Sequence, residues 1–203
     1  MTHTAKASLL IVLAIFAIVG HTKSFAFGNI LGGCPEMNPQ KNFDVNRYCG
    51  KWYEQSRTWF WPEESGVCSR ATYTKRDENS INVKNEMRVG SPEGGIQSIE
   101  GTATLRTPNE GHLLVDFGGH RTGNMKILET DYTSYSLVYS CYSFAGLLHW
   151  ETAWILTRDA QISDQFMDTL MNKYKKIGFD TSRLKRQTQD KKCWGPSMQR
   201  VDE

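Results

Sequence analysis

The chain has 203 residues, with 24 Lys or Arg, 22 Asp or Glu, five His and five Cys. Removing an N-terminal leader that contains Lys6, Lys23, His3 and His21 leaves 22 basic residues against 22 acidic ones. A neutral mature chain with few His argues against nucleic acid or an anionic membrane as the main partner, and against a His-rich metal site.

The N-terminus has the features of a cleaved secretory signal. A continuous apolar run extends from Leu9 to Val19. It is shorter than the about 20 residues that cross a bilayer, and Ser24 and Ala26 supply small residues where a signal peptidase reads the chain. A membrane-anchored leader is the alternative, and we expect no transmembrane segment elsewhere. The predicted units are a signal peptide over residues 1–26, a folded domain over residues 27–193 and a loose C-terminal tail over residues 194–203.

The folded domain is predicted to consist mainly of β-strands. Apolar and polar residues alternate along its segments, and Gly90–Gly95 and Pro108–Gly111 mark tight turns between them. Consecutive strands joined mostly by short turns are typical of an antiparallel up-and-down barrel. The eight predicted strands cover residues 50–58, 68–75, 81–88, 97–106, 112–117, 125–129, 134–142 and 150–158.

One segment after the strands has helical periodicity instead. Apolar side chains recur at helical spacing from Phe166 to Tyr174, Ser163 is a suitable N-cap and Gly178 a suitable end. We expect one amphipathic helix here, with its apolar stripe packed on the outside of the barrel.

The cysteines indicate how the chain ends are fastened. In an oxidising compartment they should pair with one left over, and their number alone leaves several pairings open. Cys34 and Cys193 lie near the chain ends, while Cys68 and Cys141 lie on predicted strands. We expect a bridge from each end onto the barrel, with Cys49 as the free thiol.

Three separated motifs resemble those of the lipocalin family, and within it the branch that holds apolipoprotein D, insect bilin-binding proteins and crustacyanin. The resemblance runs from about Cys34 to Cys193 and implies an all-β fold, an eight-stranded antiparallel calyx with one C-terminal helix outside it. The motifs are, in chain order, Asn42–Asp44 with Gly50–Glu54, Thr130–Tyr132 with Tyr139–Cys141, and Trp154–Arg158.

The resemblance also implies a disulfide pattern. It pairs Cys34 with Cys141 and Cys68 with Cys193, and it leaves Cys49 free.

A structural role for the motif residues is a further implication. In family members the Arg that matches Arg158 stacks on the Trp that matches Trp52 and closes the floor of the barrel, a cation–π contact. Gly50 and the segment Thr130, Asp131 and Tyr132 belong to the same structural motif. None of these residues is expected to contact the ligand.

The interior of the barrel is the predicted binding site. Alternation anchored on Trp52 gives a mostly apolar inward face with a few polar groups, which suits an elongated apolar ligand with one or two polar ends. Plain barrel packing is the alternative for each wall residue. Glu54 would bind a polar ligand end, be held neutral by desolvation, or form hydrogen bonds near the floor. The predicted ligand-binding residues are Glu54, Ser56, Val83, Asn85, Met87, Ile99, Leu113, Val115, Phe117, Met125, Tyr142, Trp150 and Trp154.

The first loop carries three aromatic residues, Trp59, Phe60 and Trp61, and is expected to overhang the open end. Such a run suits a ligand lid, a contact with a membrane or lipoprotein, or a subunit interface. Folding back onto the barrel rim is the alternative.

Together these features predict a secreted, extracellular carrier that binds a small hydrophobic molecule non-covalently and needs no cofactor. A carotenoid or biliverdin-type pigment and a fatty acid, sterol or retinoid rank equally as cargo. The alternatives are a pigment-protein subunit of a multimeric coloration complex and, less favoured, an isomerase-type enzyme. A homo- or heterodimer is a separate option for its assembly. Catalysis is disfavoured because Cys49 precedes the barrel, and haem ligation because the register turns Trp150 inward rather than His149.

Overall fold

The computed structural model describes residues 31–59, 65–119 and 122–195. The predicted signal peptide lies outside these residues, as do Phe60 and Trp61 of the predicted overhanging loop. In chain order the elements are α1 (Val45–Tyr48), β1 (Gly50–Arg57), β2 (Gly66–Lys75), β3 (Ser80–Val89), β4 (Ile96–Leu105), β5 (His112–Asp116), β6 (Thr122–Thr130), β7 (Tyr135–Phe144), β8 (Leu148–Thr157), α2 (Asp164–Lys176), a 3-10 turn (Thr181–Arg183) and β9 (Lys185–Arg186).

The strands form one antiparallel sheet that closes on itself. Neighbouring strands follow chain order from β2 to β8, β8 then pairs with β1, and β1 pairs with β2 to complete the circle. Tyr53 is a shared point of closure, because it lies opposite Arg70 of β2 and Thr157 of β8. The predicted eight-stranded up-and-down barrel is confirmed. The short strand β9 was not predicted and adds to the end of β1.

Helix α2 packs its apolar stripe on the outside of the barrel, as predicted. The Ser163 hydroxyl caps the helix by accepting a hydrogen bond from the Phe166 amide at 3.1 Å. Leu170 and Tyr174 are fully buried, and the Tyr174 hydroxyl donates to the Val138 carbonyl at 2.6 Å. Neither helix of the described residues combines the length and the apolar character needed to cross a membrane.

Both disulfides join the chain ends to the barrel with the pairing that the resemblance implied. Cys34 is bonded to Cys141 on β7, and Cys193 is bonded to Cys68 on β2. Cys49 is the free thiol and is half-buried. Both bridges close loops of more than a hundred residues, a length at which the chain-entropy model assigns about 4–5 kcal/mol to each bridge.

Trp194 corrects one expectation about the C-terminus. We predicted that a loose tail begins at this residue, yet its side chain is only 2% exposed. It packs beside the Cys68–Cys193 bridge, and the Arg70 guanidinium lies 3.6 Å from the centre of its ring. The cation–π contact and the burial of the indole hold Trp194 on the outer wall. Residues 196–203 of the predicted tail lie outside the described residues.

Candidate ligand-binding site

The floor of the barrel is closed by Trp52 and Arg158. Trp52 is fully buried, and the Arg158 guanidinium lies 3.7 Å from the centre of its ring. Arg158 also donates hydrogen bonds to the Lys51 and Cys49 carbonyls at 2.9 and 2.8 Å. The indole N–H of Trp52 donates to the Tyr48 carbonyl at 2.9 Å. The side-chain polar atoms of Trp52 and Arg158 are therefore hydrogen-bonded to the protein.

Gly50 makes this close packing possible. Its φ of +102° lies in a region that L side chains rarely adopt, and a Cβ added to it would lie 2.8 Å from a guanidinium nitrogen of Arg158. Any larger residue would be strained and would push Arg158 away from the floor.

The segment Thr130–Tyr132 fastens the floor from the other side. Three backbone amides, those of Thr133, Ser134 and Tyr135, donate to one carboxylate oxygen of Asp131 at 2.8–3.0 Å. Burial opposes ionisation of Asp131, but the Ser134 hydroxyl and the backbone amides outweigh it and lower the pKa of this carboxyl. The Tyr132 carbonyl accepts a hydrogen bond from Arg158 Nε at 2.9 Å, so this loop is structural.

The barrel wall keeps the predicted alternation through most of β3 to β8, with a bulge between Ile127 and Glu129 of β6. Asn85 lies opposite Ile99, and Leu113 lies opposite Met125, so each pair shares one face of the sheet. The inner apolar core shows that this face points inward. The predicted side chains that line the interior are Glu54, Val83, Asn85, Met87, Ile99, Leu113, Val115, Phe117, Met125, Tyr142, Trp150 and Trp154.

Depth separates packing residues from residues that a ligand can reach. Val83 and Leu113 are buried to 3% and 0% exposure in the inner core, which fits plain barrel packing. Tyr142 and Trp150, which lie opposite each other near the mouth, are 48% and 37% exposed. The accessible part of the wall therefore lies towards the open end.

Aromatic side chains line the mouth itself. The rings of Trp59 and Trp150 meet edge to face with centroids 5.3 Å apart. The Tyr142 hydroxyl donates to the Thr122 carbonyl, and Gly123 leaves the space for that ring, since a Cβ there would lie 2.9 Å from the Tyr142 oxygen. Trp59 thus contacts the rim of the barrel, while Phe60 and Trp61 lie outside the described residues.

The prediction that Ser56 faces the interior is wrong, because strand β1 contains a bulge. A bulge at Gln55 shifts the register, so that Glu54 lies opposite Leu156, Ser56 opposite Ile155 and Arg57 opposite Trp154. Ile155 belongs to the core under helix α2, and the Ser56 hydroxyl donates to the Lys185 carbonyl at 2.9 Å. Ser56 therefore faces away from the interior, and Arg57 takes its place there.

Three hydrogen bonds from the Gln55 side chain hold this bulge. Its fully buried amide donates to the Thr157 hydroxyl at 2.9 Å and to the Asp159 and Ala160 carbonyls at 3.2 and 3.0 Å. The extra residue is therefore fixed by the turn that follows β8.

The bulge places two charged side chains inside the barrel as an ion pair. Arg57 Nη1 donates to a carboxylate oxygen of Glu54, and Arg57 Nη2 donates to the Gly66 carbonyl at 3.3 Å. Each side chain is 6% exposed. Glu54 therefore forms a hydrogen bond to a protein side chain, which agrees with the alternative of a hydrogen-bonded polar residue in the barrel.

Comparison with known proteins agrees with this architecture. The lipocalin-like domain family matches residues 43–189. Apolipoprotein D of Bos taurus is 37% identical over 156 residues, covering 74% of this chain and 78% of that protein. The chain belongs to the lipocalin family. Its members bind small hydrophobic ligands non-covalently, without a cofactor.

Solved structures share the fold of this chain. Apocrustacyanin C1 superposes with a TM-score of 0.67 at 25% identity, covering 79% of this chain and 91% of that one. Insecticyanin from the tobacco hornworm Manduca sexta superposes with a TM-score of 0.69 at 23% identity, covering 84% and 92%, and this likeness shows the fold alone.

Cys49, considered as a catalytic thiol, and His149, considered as a haem ligand, lie away from the interior of this lipocalin. Cys49 packs under the floor, and burial raises the pKa of its thiol, which disfavours the reactive thiolate. His149 is 7% exposed on the outer face, where Nδ1 lies 3.2 Å from the Gly32 carbonyl. The register turns the neighbouring Trp150 inward, as predicted.

Sequence reasoning missed three interior residues of the lipocalin site. Arg57 was missed because the alternation of β1 carries no mark of the bulge. Gly123 was missed because its role depends on Tyr142, a residue of the next strand. Ser136, whose hydroxyl pairs with that of Tyr48 at 2.9 Å, is a buried polar contact above the floor that only the fold brings together.

Proposed function

We propose that this lipocalin is a secreted carrier that binds one small hydrophobic molecule non-covalently inside the barrel. The proposal rests on one observation, an apolar wall that is closed at the Trp52 end and lined with half-exposed aromatic rings at the Tyr142 end. A molecule that enters past these rings would be surrounded by apolar side chains, which supports the proposal. No residue arrangement in the described interior calls for catalysis.

The estimated free energy of binding is consistent with reversible binding of the ligand. Burying about 500 Å² of apolar ligand surface at about 25 cal/mol per Å² contributes about 12 kcal/mol. Immobilising the ligand costs at least about 4 kcal/mol. Dissociation constants from about micromolar to about nanomolar follow without a covalent bond.

Secretion is part of the proposal and is supported by the two disulfides and the leader composition. Expression in a secreting cell should release a protein that begins after Ala26. N-terminal sequencing of the secreted chain checks this, and retention of the leader in a membrane fraction would contradict it.

The site is tested by binding of Nile red, a neutral fluorescent probe. Trp154→Ala removes an interior ring beside Arg57, and Tyr142→Ala removes a ring at the mouth, so both should weaken binding at least about tenfold. Leu114→Ala is the matched control because Leu114 is 45% exposed and lies between the inward residues Leu113 and Val115. Unchanged affinity in both interior variants would refute this wall as the binding site.

The cargo class is tested on protein purified from its source. A visible absorption band would favour a carotenoid or tetrapyrrole pigment. A colourless protein that yields fatty acid, sterol or retinoid on solvent extraction would favour lipid carriage. The visible band, together with a molecular mass that matches a dimer or larger assembly, would favour the coloration-complex alternative.

A further inference from the structure

We propose that a basic cavity on the outer wall of the barrel binds a small anion of the phosphate type, as a second site separate from the interior. The cavity has a volume of about 190 Å³, and the disulfide between Cys34 and Cys141 forms one of its sides. Arg106, His112 and Lys126 line the rest of it together with neutral residues. The inference goes beyond carriage inside the barrel and does not depend on it.

The register of three neighbouring strands brings the lining side chains together. His112 of β5 lies opposite Lys126 of β6, and Lys126 lies opposite Tyr139 of β7. Leu113 and Ile127, the next residues after His112 and Lys126, belong to the inner core. Because successive residues of a strand face opposite sides, His112 and Lys126 face outward. The sheet therefore separates this cavity from the interior of the barrel.

The cavity holds two positive charges without a carboxylate partner among the described residues. The Lys126 ammonium donates to the Met37 carbonyl at 2.9 Å, and Arg106 Nη1 donates to the Asn124 side-chain oxygen at 3.0 Å. Both of these acceptors are neutral. Within the described part of the chain, the residues that line the cavity include no Asp or Glu. The other N–H groups of Lys126 and Arg106 can therefore donate to an anion.

His112 adds a third polar group to the cavity. Its imidazole lines the cavity, and its Nε2 is buried without a hydrogen-bond partner among the described residues. Buried polar atoms are normally hydrogen-bonded, so this nitrogen supports a site that a ligand completes.

The protonation of His112 reports on the charge of the cavity. Burial lowers the pKa of His112, and the charges of Lys126 and Arg106 lower it further. The Asn124 side chain and the charge of Glu110 act in the opposite direction without reversing the shift. A bound anion would offset the two cations and so raise this pKa.

A phosphate-type anion suits these groups better than a carboxylate does. Arg106 follows the end of β4, while His112 lies on β5 and Lys126 on β6, so the donors come from different strands. A tetrahedral anion presents oxygens in several directions, whereas the two oxygens of a carboxylate lie in one plane. The volume of about 190 Å³ is many times the about 10–15 Å³ that one water molecule needs, which leaves room for a phosphate group with a small substituent.

The test follows the imidazole signals of the full mature protein by NMR at pH 7.5 while inorganic phosphate or glycerol 3-phosphate is added. We expect a saturable shift of the His112 signals at about millimolar concentration or below, and a rise in the pKa of His112 with ligand bound. His149 is the internal control, because it is buried elsewhere on the outer face beside the Gly32 carbonyl. A His112 signal that does not saturate, or equal shifts of His112 and His149, would overturn the proposal.

Variants assign the binding to the two cations. Arg106→Gln and Lys126→Gln should each weaken phosphate binding at least about fivefold, and the double variant should abolish the saturable shift. Lys176→Gln removes one charge at an exposed position of helix α2 and should leave the affinity within about twofold. If Lys126→Gln does not fold, Lys126→Arg keeps the charge and should keep the binding. Unchanged affinity in Arg106→Gln together with loss of binding in Lys126→Arg would contradict a site defined by charge.

Vesicles distinguish a soluble phosphate ester from a lipid headgroup. Binding of glycerol 3-phosphate without retention on phosphatidic acid vesicles would assign the site to soluble esters. Retention on phosphatidic acid but not on phosphatidylcholine, lost in the double variant, would assign it to a headgroup of the same chemistry. Acetate that binds as tightly as phosphate would overturn the choice of anion.

The outcomes also stay separate from those of the proposed function. Arg106 and Lys126 lie outside the barrel, so the double variant should bind Nile red as the unsubstituted protein does. Failure of Nile red to bind would overturn carriage and leave this site standing, whereas failure of phosphate to bind would overturn this site alone.

Discussion

The two ends of the barrel use aromatic side chains in opposite ways. At the closed end Trp52 is fully buried, its N–H is hydrogen-bonded and a guanidinium covers its ring. At the open end Trp59, Tyr142 and Trp150 are between about a third and half exposed, and the two Trp rings contact each other. The closed end is fixed by contacts that leave nothing unpaired, while the open end keeps apolar surface available.

This contrast assigns stability to the closed end of the barrel and ligand binding to the part above it. The motifs that identify the family, from Gly50 to Glu54 and around Arg158, lie mostly at the closed end and hold the barrel shut. The side chains that we propose for ligand contact lie above them and contribute less to the packed core. Substitutions at the two ends should therefore change different measured quantities.

The largest expected effect is at the floor. Trp52→Ala removes a fully buried indole and its contact with Arg158, and should lower the free energy of unfolding by about 3–5 kcal/mol. Trp150→Ala, the matched change at the mouth, should cost about 1 kcal/mol because that ring is 37% exposed. Urea unfolding of both variants measures the difference. Equal losses would remove the distinction between the two ends.

A smaller effect is expected for glycines of positive φ. Gly50→Ala forces a Cβ into contact with Arg158 and should cost about 2–3 kcal/mol. Gly146→Ala, in the β7–β8 turn, also has positive φ but meets no atom within 4 Å, and should cost about 1 kcal/mol. Thermal unfolding measures both. A loss at Gly146 as large as that at Gly50 would show that backbone strain, rather than the close approach of Arg158, limits the floor.

The smallest effect is a dependence on pH at the closed end. The pKa of Asp131 is lower in the folded chain than its ordinary value of 3.8, so its ionised form stabilises the fold above about pH 4. This stabilisation is lost as the pH falls through the folded pKa. Asp131→Asn should therefore be less stable than the unsubstituted protein at pH 7, and the gap should narrow at pH 3.

Urea unfolding at the two pH values measures this gap. Asp168→Asn, at an exposed position on α2, is the control and should show little change at either pH. A gap at Asp131 that stayed constant with pH would assign its role to the neutral hydrogen bonds alone.

Most of the fold could be predicted from the sequence because it depends on local periodicity. The alternation of β3 and β4, the turns between strands and the cap at Ser163 are all properties of neighbouring residues. The resemblance supplied what periodicity could not, the disulfide pairing and the contact of Arg158 with Trp52. Both are confirmed.

The parts that sequence could not predict depend on contacts between distant residues. The bulge at Gln55 is held by hydrogen bonds to Thr157, Asp159 and Ala160, more than a hundred residues away, so nothing in β1 itself marks it. Trp194 is buried because it meets Arg70 on the outer wall. The polar character of the candidate site was therefore the least predictable part of the molecule.

The bulge in β1 also bears on how far the length of this strand can change. Gln55 and Ser56 both face outward between the inward residues Glu54 and Arg57. Because successive residues of a strand face opposite sides, deleting Gln55 alone would restore the regular alternation and leave Ser56 outside and Arg57 inside. The length of β1 can therefore change by one residue here without changing which side chains face the interior, and only substitution of Glu54 or Arg57 changes the polar groups of this part of the wall.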